Sequence, residues 1–298
     1  MINKTINLKS YAKINLYLDI GEKLNNGYHS IETIFQTINL FDEIHLEKLY
    51  KPILQLKCNH SEVPVKEDSI MYKAIKSIIK DRNMGLAVSI YKNIPLASGL
   101  GGGSSNIATI LLGVCKLFNL KISLSQLTVL LSKFGMDMPF FIRRGTVYAR
   151  GRGEILFPLL PIDPPIDLIL INPGIKLSTK WAYQIFDEET RQVPKKPHLS
   201  IDRFLKQKKV IQLNDIQKIT YNHFEKLLSK RYPVINEMIN TLKQEGALVA
   251  TLSGSGPTVY GVFEGKPKAD EAYHKIKNKY PFVYKTNTVR ADNITLEN

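Results

Sequence analysis

The chain has no apolar run near the roughly 18 residues that a membrane-spanning helix needs, so no membrane partner is expected. Its start, Met1 to Lys4, lacks the apolar core of a signal peptide, and a cytoplasmic protein is expected. There are only two cysteines, Cys58 and Cys115, and they form no metal-like pair. Both fall in apolar-patterned segments, which predicts buried and inert thiols. Paired Cys/His fingers and an aromatic-and-basic RNA signature are missing too. No internal repeat or low-complexity tract is present.

Positive charge is in excess, with a formal net charge of +14. That excess predicts attraction to polyanions as well as to small phosphates. The lysines are spread along the chain rather than gathered into one arm, so a lysine-rich surface that works on anionic substrates is favoured and no nucleic acid is expected. A basic nucleic-acid-binding protein remains the rival reading. At 298 residues the chain is long for one hydrophobic core, which predicts two lobes sharing a cleft.

The most informative stretch is Pro95, Leu96, Ala97, Ser98, Gly99, Leu100, Gly101, Gly102, Gly103, Ser104 and Ser105. It follows an alternating run (Leu86, Val88, Ile90) and precedes a helical apolar pattern from Ile107 to Cys115, so it reads as strand, glycine-rich loop and helix. Four glycines in five positions clear one face of Cβ atoms, and the serines stand where the first helical turn leaves donors unpaired. A phosphate cradle is favoured over a flexible, serine-capped turn. It is not a Walker loop, since no lysine follows Gly103, and not a dinucleotide fingerprint, since Ser104 replaces the third glycine and Asn119 to Ser123 offers no acid.

Between Ile6 and Ile20 the even positions are apolar except Ser10, a strand pattern with a bend near Ser10 that points Lys13 and Asn15 off the core. Taken alone, Lys13 reads as a solvated surface lysine. Asn25-Asn26-Gly27 signals a turn, Tyr28 and His29 follow, and Ile31, Ile34, Phe35 and Ile38 form an apolar face. Short strands are predicted at Ile44 to Leu46 and Leu54 to Cys58, and a helix from Ser69 to near Gly85. Ser123 with Gln126 forms a capping box. Asp137 is an acid among apolar residues (Met136, Met138, Pro139, Phe140, Phe141), and it either caps a turn or works in a cleft. Four prolines within Pro158 to Pro165 mark a lobe boundary. Beyond it a strand from Asp167, a helix from Ser178 or Thr179, a loop from Asp187 to Ser200 and helices over much of Ile201 to Glu245 are expected. Strands at Leu248 to Leu252 and Thr258 to Phe263 flank a second glycine-serine loop, Ser253 to Pro257. A helix near Asp270 to Lys279 and a strand at Phe282 to Thr286 close the pattern.

Three blocks, Ser10 to Phe35, Pro95 to Ser105 with Gly135 to Pro139, and Leu252 to Pro257, resemble the three signature motifs of the GHMP kinases, which include galactokinase, homoserine kinase and mevalonate kinase. Ala12-Lys13-Ile14-Asn15-Leu16, Gly27-Tyr28-His29, the triple-glycine loop with two serines, and Asp137-Met138-Pro139-Phe140 are similar to the branch acting on a cytidine-diphosphate-linked methylerythritol in isoprenoid biosynthesis. The resemblance implies a two-lobed α+β fold, with an ATP-binding N-terminal domain over residues 1–157 and a C-terminal domain over residues 158–298. It implies γ-phosphate transfer from ATP to a tertiary hydroxyl of a small-molecule substrate. A monomer or weak homodimer is expected. A homoserine or mevalonate type of kinase is the alternative within the family. Asp137 would be base or orienting group, and Lys13 its charged partner at the transferring phosphate. Tyr28, His29, Phe35, Thr179 and Tyr183 would hold the cytosine end, and Asn15 would stand near the acceptor. Mg²⁺ should accompany ATP, either touched by Ser104 or Ser105 or held chiefly by the phosphates.

Overall fold

The computed structural model describes residues 4–190, 201, 204, 205 and 210–291. Strand alternation makes β1 (Thr5–Lys23), and the turn at Gly27 returns the chain as its antiparallel partner β2 (His29–Leu49). The separate short strand predicted at Ile44 to Leu46 is part of this one 21-residue strand. Its two halves serve different neighbours: Glu43 to Leu49 pair with β4 (Gly85–Tyr91), and Thr33 to Gln36 pair with β5 (Thr146–Arg150). The first sheet runs β3 (Leu54–Cys58), β4, β2, β1 and β8 (Tyr221–Asn222), with β5 and β6 (Ile155–Pro158) continuing from the first half of β2. Helices α1 (Ile70–Ile79), α2 (Gly102–Leu117), α3 (Leu124–Ser132) and α4 (Phe140–Arg143) belong to this lobe. Ser69 caps α1, and Ser123 and Gln126 form the predicted box at α3.

The second sheet has the order β11 (Phe282–Asn287), β7 (Asp167–Asn172), β10 (Val259–Phe263) and β9 (Val249–Leu252), all antiparallel. Around it stand α5 (Thr179–Thr190), α6 (Leu213–Ile219), α7 (His223–Arg231), α8 (Pro233–Gln244) and α9 (Lys266–Ile276). The proline-rich stretch carries the chain from β6 to β7, and so from one sheet to the other. The result is a two-lobed α+β fold.

What positions the site is the way β1 changes partners. Ile6 and Leu8 pack in the core beneath α1 and α2, whereas Ala12, Ile14 and Leu16 pack with Leu168, Leu170, Tyr260 and Val262 of the second sheet. A register shift between Tyr11 and Ala12 marks the exchange, close to the bend expected near Ser10. The middle of β1 is therefore covered on both faces. Lys13 and Asn15, predicted to point off the core, are buried at 5% and 2% exposure. Tyr260 reaches across from the second sheet and donates its hydroxyl to Asn15 O at 2.9 Å.

Other expectations need correction. α1 stops at Ile79, a 3₁₀ turn (Lys80–Arg82) follows, and Gly85 opens β4 instead of ending the helix. A Cβ at Gly85 would run into the carbonyls of Lys51 and Leu49, which explains glycine there. Cys58 and Cys115 are partly rather than fully buried; burial pushes the Cys115 thiol up, only partly offset by Arg82. α5 continues from Asp187 to Thr190, where a loop was expected, and residues 191–200 of that expected loop lie outside the described residues. The last predicted helix starts earlier, at Lys266.

Candidate active site

The glycine loop enters α2 through Gly99 and Gly101, both in the left-handed region where only glycine is relaxed. Its back is sealed by the second glycine-serine loop. A Cβ on Gly99 would collide with Ser253 O, and the Ser253 hydroxyl donates to Gly99 O at 3.0 Å. Close approach of two backbones thus requires glycine at 99. The first N–H groups of α2 have no intrahelical partner and carry the positive end of the helix dipole, the elements of an anion site.

Beneath the loop, Lys13 donates its backbone N–H to Leu100 O (3.0 Å) and its ammonium to Asn15 Oδ1 (2.5 Å). Asn15 donates in turn to Thr33, whose hydroxyl donates to Tyr17 O. The Lys13 ammonium lies 5.8 Å from the centre of the Phe35 ring. Burial lowers its pKa to about 8, against the opposing pull of the Asp137 carboxylate. Asp137, in the turn between α3 and α4, accepts the Ser104 hydroxyl at 2.9 Å. Its side chain does not cap α4, so the turn-capping reading of this acid falls. Lys13, Asp137, Gly101 to Ser104 and Phe35 line one cavity of about 380 Å³, together with Thr179 and Tyr183.

Not every predicted residue lines that cavity. Leu100 and Ser105 do not: Leu100 is buried, and the Ser105 hydroxyl turns inward to Tyr11 O at 2.6 Å. Tyr28 stands outside at 53% exposure with its ring beside Arg152. His29 is buried and does not line the cavity, its ring stacked on Tyr183 with centroids 5.7 Å apart. Thr179 shares a hydrogen bond with Ser255 (3.0 Å), which ties α5 to the second glycine loop. Tyr183 is pushed up to about 12 by burial, with a smaller contribution from Asp137.

Three supporting residues escaped the sequence reading. Lys92 also lines the cavity and forms a buried ion pair with Asp42, which further accepts from Asn93 N, Ile94 N and the Asn106 amide. Breaking such a pair costs about 3 to 5 kcal/mol, so it fixes where the strand before the glycine loop ends. The partners are 50 residues apart, and no local pattern announces them. Asn222 is the third. Its amide donates to Leu252 O and Gly254 O, both at 2.9 Å, and holds the second loop against Lys13. A larger cavity of about 710 Å³ lies between α7, β8 and β9, but it contains neither the glycine loop nor the Lys13 and Asp137 pair.

The comparisons with known proteins give the family. Residues 69–145 match the family described as GHMP kinases N terminal domain, and residues 205–281 match GHMP kinases C terminal. A 4-diphosphocytidyl-2-C-methyl-D-erythritol kinase of Caldanaerobacter subterraneus subsp. tengcongensis is 39% identical over 287 residues, 95% of this chain and 97% of that protein. The chain belongs to the GHMP kinase family. A Clostridium perfringens protein of the same name is 35% identical and covers 96% of this chain and 99% of its own. Among solved structures, a 4-(cytidine 5'-diphospho)-2C-methyl-D-erythritol kinase superposes with a TM-score of 0.78 at 24% identity, covering 95% of this chain and 99% of its own. A homoserine kinase from Cytophaga hutchinsonii follows at 0.72 and 18%, covering 98% and 97%. These structural likenesses establish the GHMP kinase fold. As a GHMP kinase the protein is an ATP-dependent enzyme with a small-molecule acceptor. No helix among the described residues is long and apolar enough to cross a membrane.

Proposed function

We propose that this GHMP kinase transfers the γ-phosphate of ATP to the 2-hydroxyl of 4-diphosphocytidyl-2-C-methyl-D-erythritol, giving the 2-phosphate and ADP. Relatives of that name, 35% to 39% identical over nearly the whole chain, support the substrate. The observation that carries the chemistry is the meeting of Lys13, Asp137 and the glycine loop in one cavity, with the Asp137 charge acting on the Lys13 ammonium.

Phosphoryl transfer demands positioning and charge stabilisation more than covalent chemistry. The N–H groups at the start of α2 bind the triphosphate. Lys13 supplies the cation beside the transferring group. Asp137 accepts the hydrogen bond of the acceptor hydroxyl, holds it in line, and takes its proton as the bond to phosphorus forms. Thr179, Tyr183 and Phe35 form the wall for the cytidyl end, and Asn15 keeps the Lys13 ammonium in place. Tyr28, now outside, joins this wall only by turning inward.

Mg²⁺ fits the site in one way. The Ser104 hydroxyl and the Asp137 carboxylate offer hard oxygen donors beside the loop, while no cluster of three metal-ligating side chains exists among the described residues. An ion held mainly by ATP phosphates with one or two protein oxygens suits that donor set, and it would neutralise phosphate charge there. A cytoplasmic, monomeric or weakly dimeric enzyme completes the proposal.

The test is ADP release from Mg-ATP with the cytidyl substrate, mevalonate and homoserine as acceptors. Turnover with the cytidyl substrate alone supports the reading. Turnover with another acceptor keeps the kinase and rejects the pocket.

A further inference from the structure

The cavity of about 710 Å³ beside α7 falls in the size range of small-molecule sites, about 300 to 1,000 Å³, and the chemistry above leaves it unused. α7 stands between the two cavities: Phe224 lines the catalytic one, and His223, Lys226 and Lys230 line this one. Its two ends differ. At the start of α7 the His223 ring meets Phe186 edge-on at 4.9 Å and Tyr221 at 5.8 Å. Asp19 holds the Nδ1 side of His223 at 2.8 Å, which leaves Nε2 as the nitrogen without a partner among the described residues. Lys226 and Lys230 follow about one and two turns further along the helix on the same face, and Lys243 joins them from the last turn of α8.

None of these three lysines forms an ion pair with a described residue. Both carboxylates of the cavity are engaged, by contrast: Glu189 pairs with Arg231 at 3.5 Å, and Glu225 accepts the Thr251 hydroxyl. Positive charge is therefore left over at this end. β9 is the outer strand of the second sheet, so the edge that lines the cavity at Val249 to Thr251 carries backbone donors and acceptors with no strand beside them.

We propose that this cavity is a second, non-catalytic nucleotide site. The base packs on the Phe186, Tyr221 and His223 rings and meets the edge of β9, and the phosphates rest on Lys226, Lys230 and Lys243. Ammonium groups one helical turn apart, about 6 Å along the axis, suit a chain of two or three phosphates. A bare phosphate would leave the ring end unused, and a neutral apolar ligand would leave the lysines unused. The ligand class is thus a nucleoside di- or triphosphate. The site goes beyond the cytidyl reading of the catalytic cavity and does not depend on it.

The test is calorimetric titration of ADP into wild type and into the double variant Lys226→Ala with Lys230→Ala, with inorganic diphosphate as a second probe and melting to show that each protein is folded. Wild type should take two ADP per chain. In the double variant the second site should weaken at least about hundredfold, about tenfold for each charged hydrogen bond lost, while the KM for ATP holds within about twofold. Should that variant not fold, Lys243→Gln on the other helix should weaken the same site about tenfold. One ADP per chain in wild type overturns the proposal, and so does a second site that survives loss of the lysines. Diphosphate bound at the second site as tightly as ADP overturns the nucleotide class, since the rings and the strand edge would then contribute nothing. Failure to turn over the cytidyl substrate would reject the proposed function and leave this count of ADP sites unchanged.

Discussion

Ser104 donates its hydroxyl to Asp137 Oδ1 at 2.9 Å, so the first turn of α2 and the acid of the α3 to α4 turn are coupled before any ligand arrives. On the proposed function this bond helps orient the carboxylate beside the glycine loop. Ser104→Ala should lower kcat/KM roughly tenfold to a hundredfold, the range for a hydrogen bond to a charged group, while melting stays near wild type. Steady-state kinetics with calorimetric melting checks this. Activity within about twofold of wild type would show that Asp137 is aimed by something else.

A second prediction concerns pH. The Lys13 pKa is lowered from 10.5 to about 8, so its positive charge is lost as pH rises through that value. If the charge stabilises the transferring phosphate, kcat/KM falls on the alkaline side with an apparent pKa near 8. Stability moves the other way. Below about 8 both folded and unfolded chains hold the proton and the burial cost is fully present; between about 8 and 10.5 the unfolded chain binds more protons, so the cost fades as pH rises. The stability of wild type relative to Lys13→Met, followed by urea unfolding, should therefore improve between these limits. An alkaline limb absent up to pH 9.5, roughly the point where an ordinary lysine begins to lose its proton, would contradict the role of Lys13.

Gly103 separates a packing role from a binding role. A Cβ there meets no atom within 4 Å, and the residue lies inside α2. On packing grounds Gly103→Ala should be neutral or stabilising by up to about 1 kcal/mol. On the proposed function that open space receives the triphosphate, so the same variant should raise the KM for ATP at least about tenfold. A variant that melts no lower yet binds ATP as well as wild type would move the triphosphate off this loop.

The glycine loop and Asp137 carry local signals, a run of glycines at a helix entry and an acid among apolar residues, whereas Lys13 alone reads as a surface lysine and was singled out only by family likeness. Their meeting was legible only through family likeness. Burial of Lys13 was not, since it depends on the partner change of β1 at the register shift and on Tyr260 arriving from a strand more than two hundred residues later. Asp42 and Lys92 gave no signal, because a charge pair closed across distant segments looks like two surface residues. Asn222 failed for the same reason: a single polar residue where helix was expected says nothing about the loop it will hold. Ser105 was legible as a residue of the loop but not in its direction, which a half-turn of α2 decides.

The most direct measurement is ADP release from Mg-ATP and the cytidyl substrate by wild type and Asp137→Asn, with both proteins shown to be folded by melting. Proton acceptance and orientation by Asp137 predict a fall in kcat of at least about a hundredfold, with the KM for ATP little changed. A variant that keeps more than about a tenth of wild-type turnover would contradict the claim that Asp137 handles the acceptor hydroxyl.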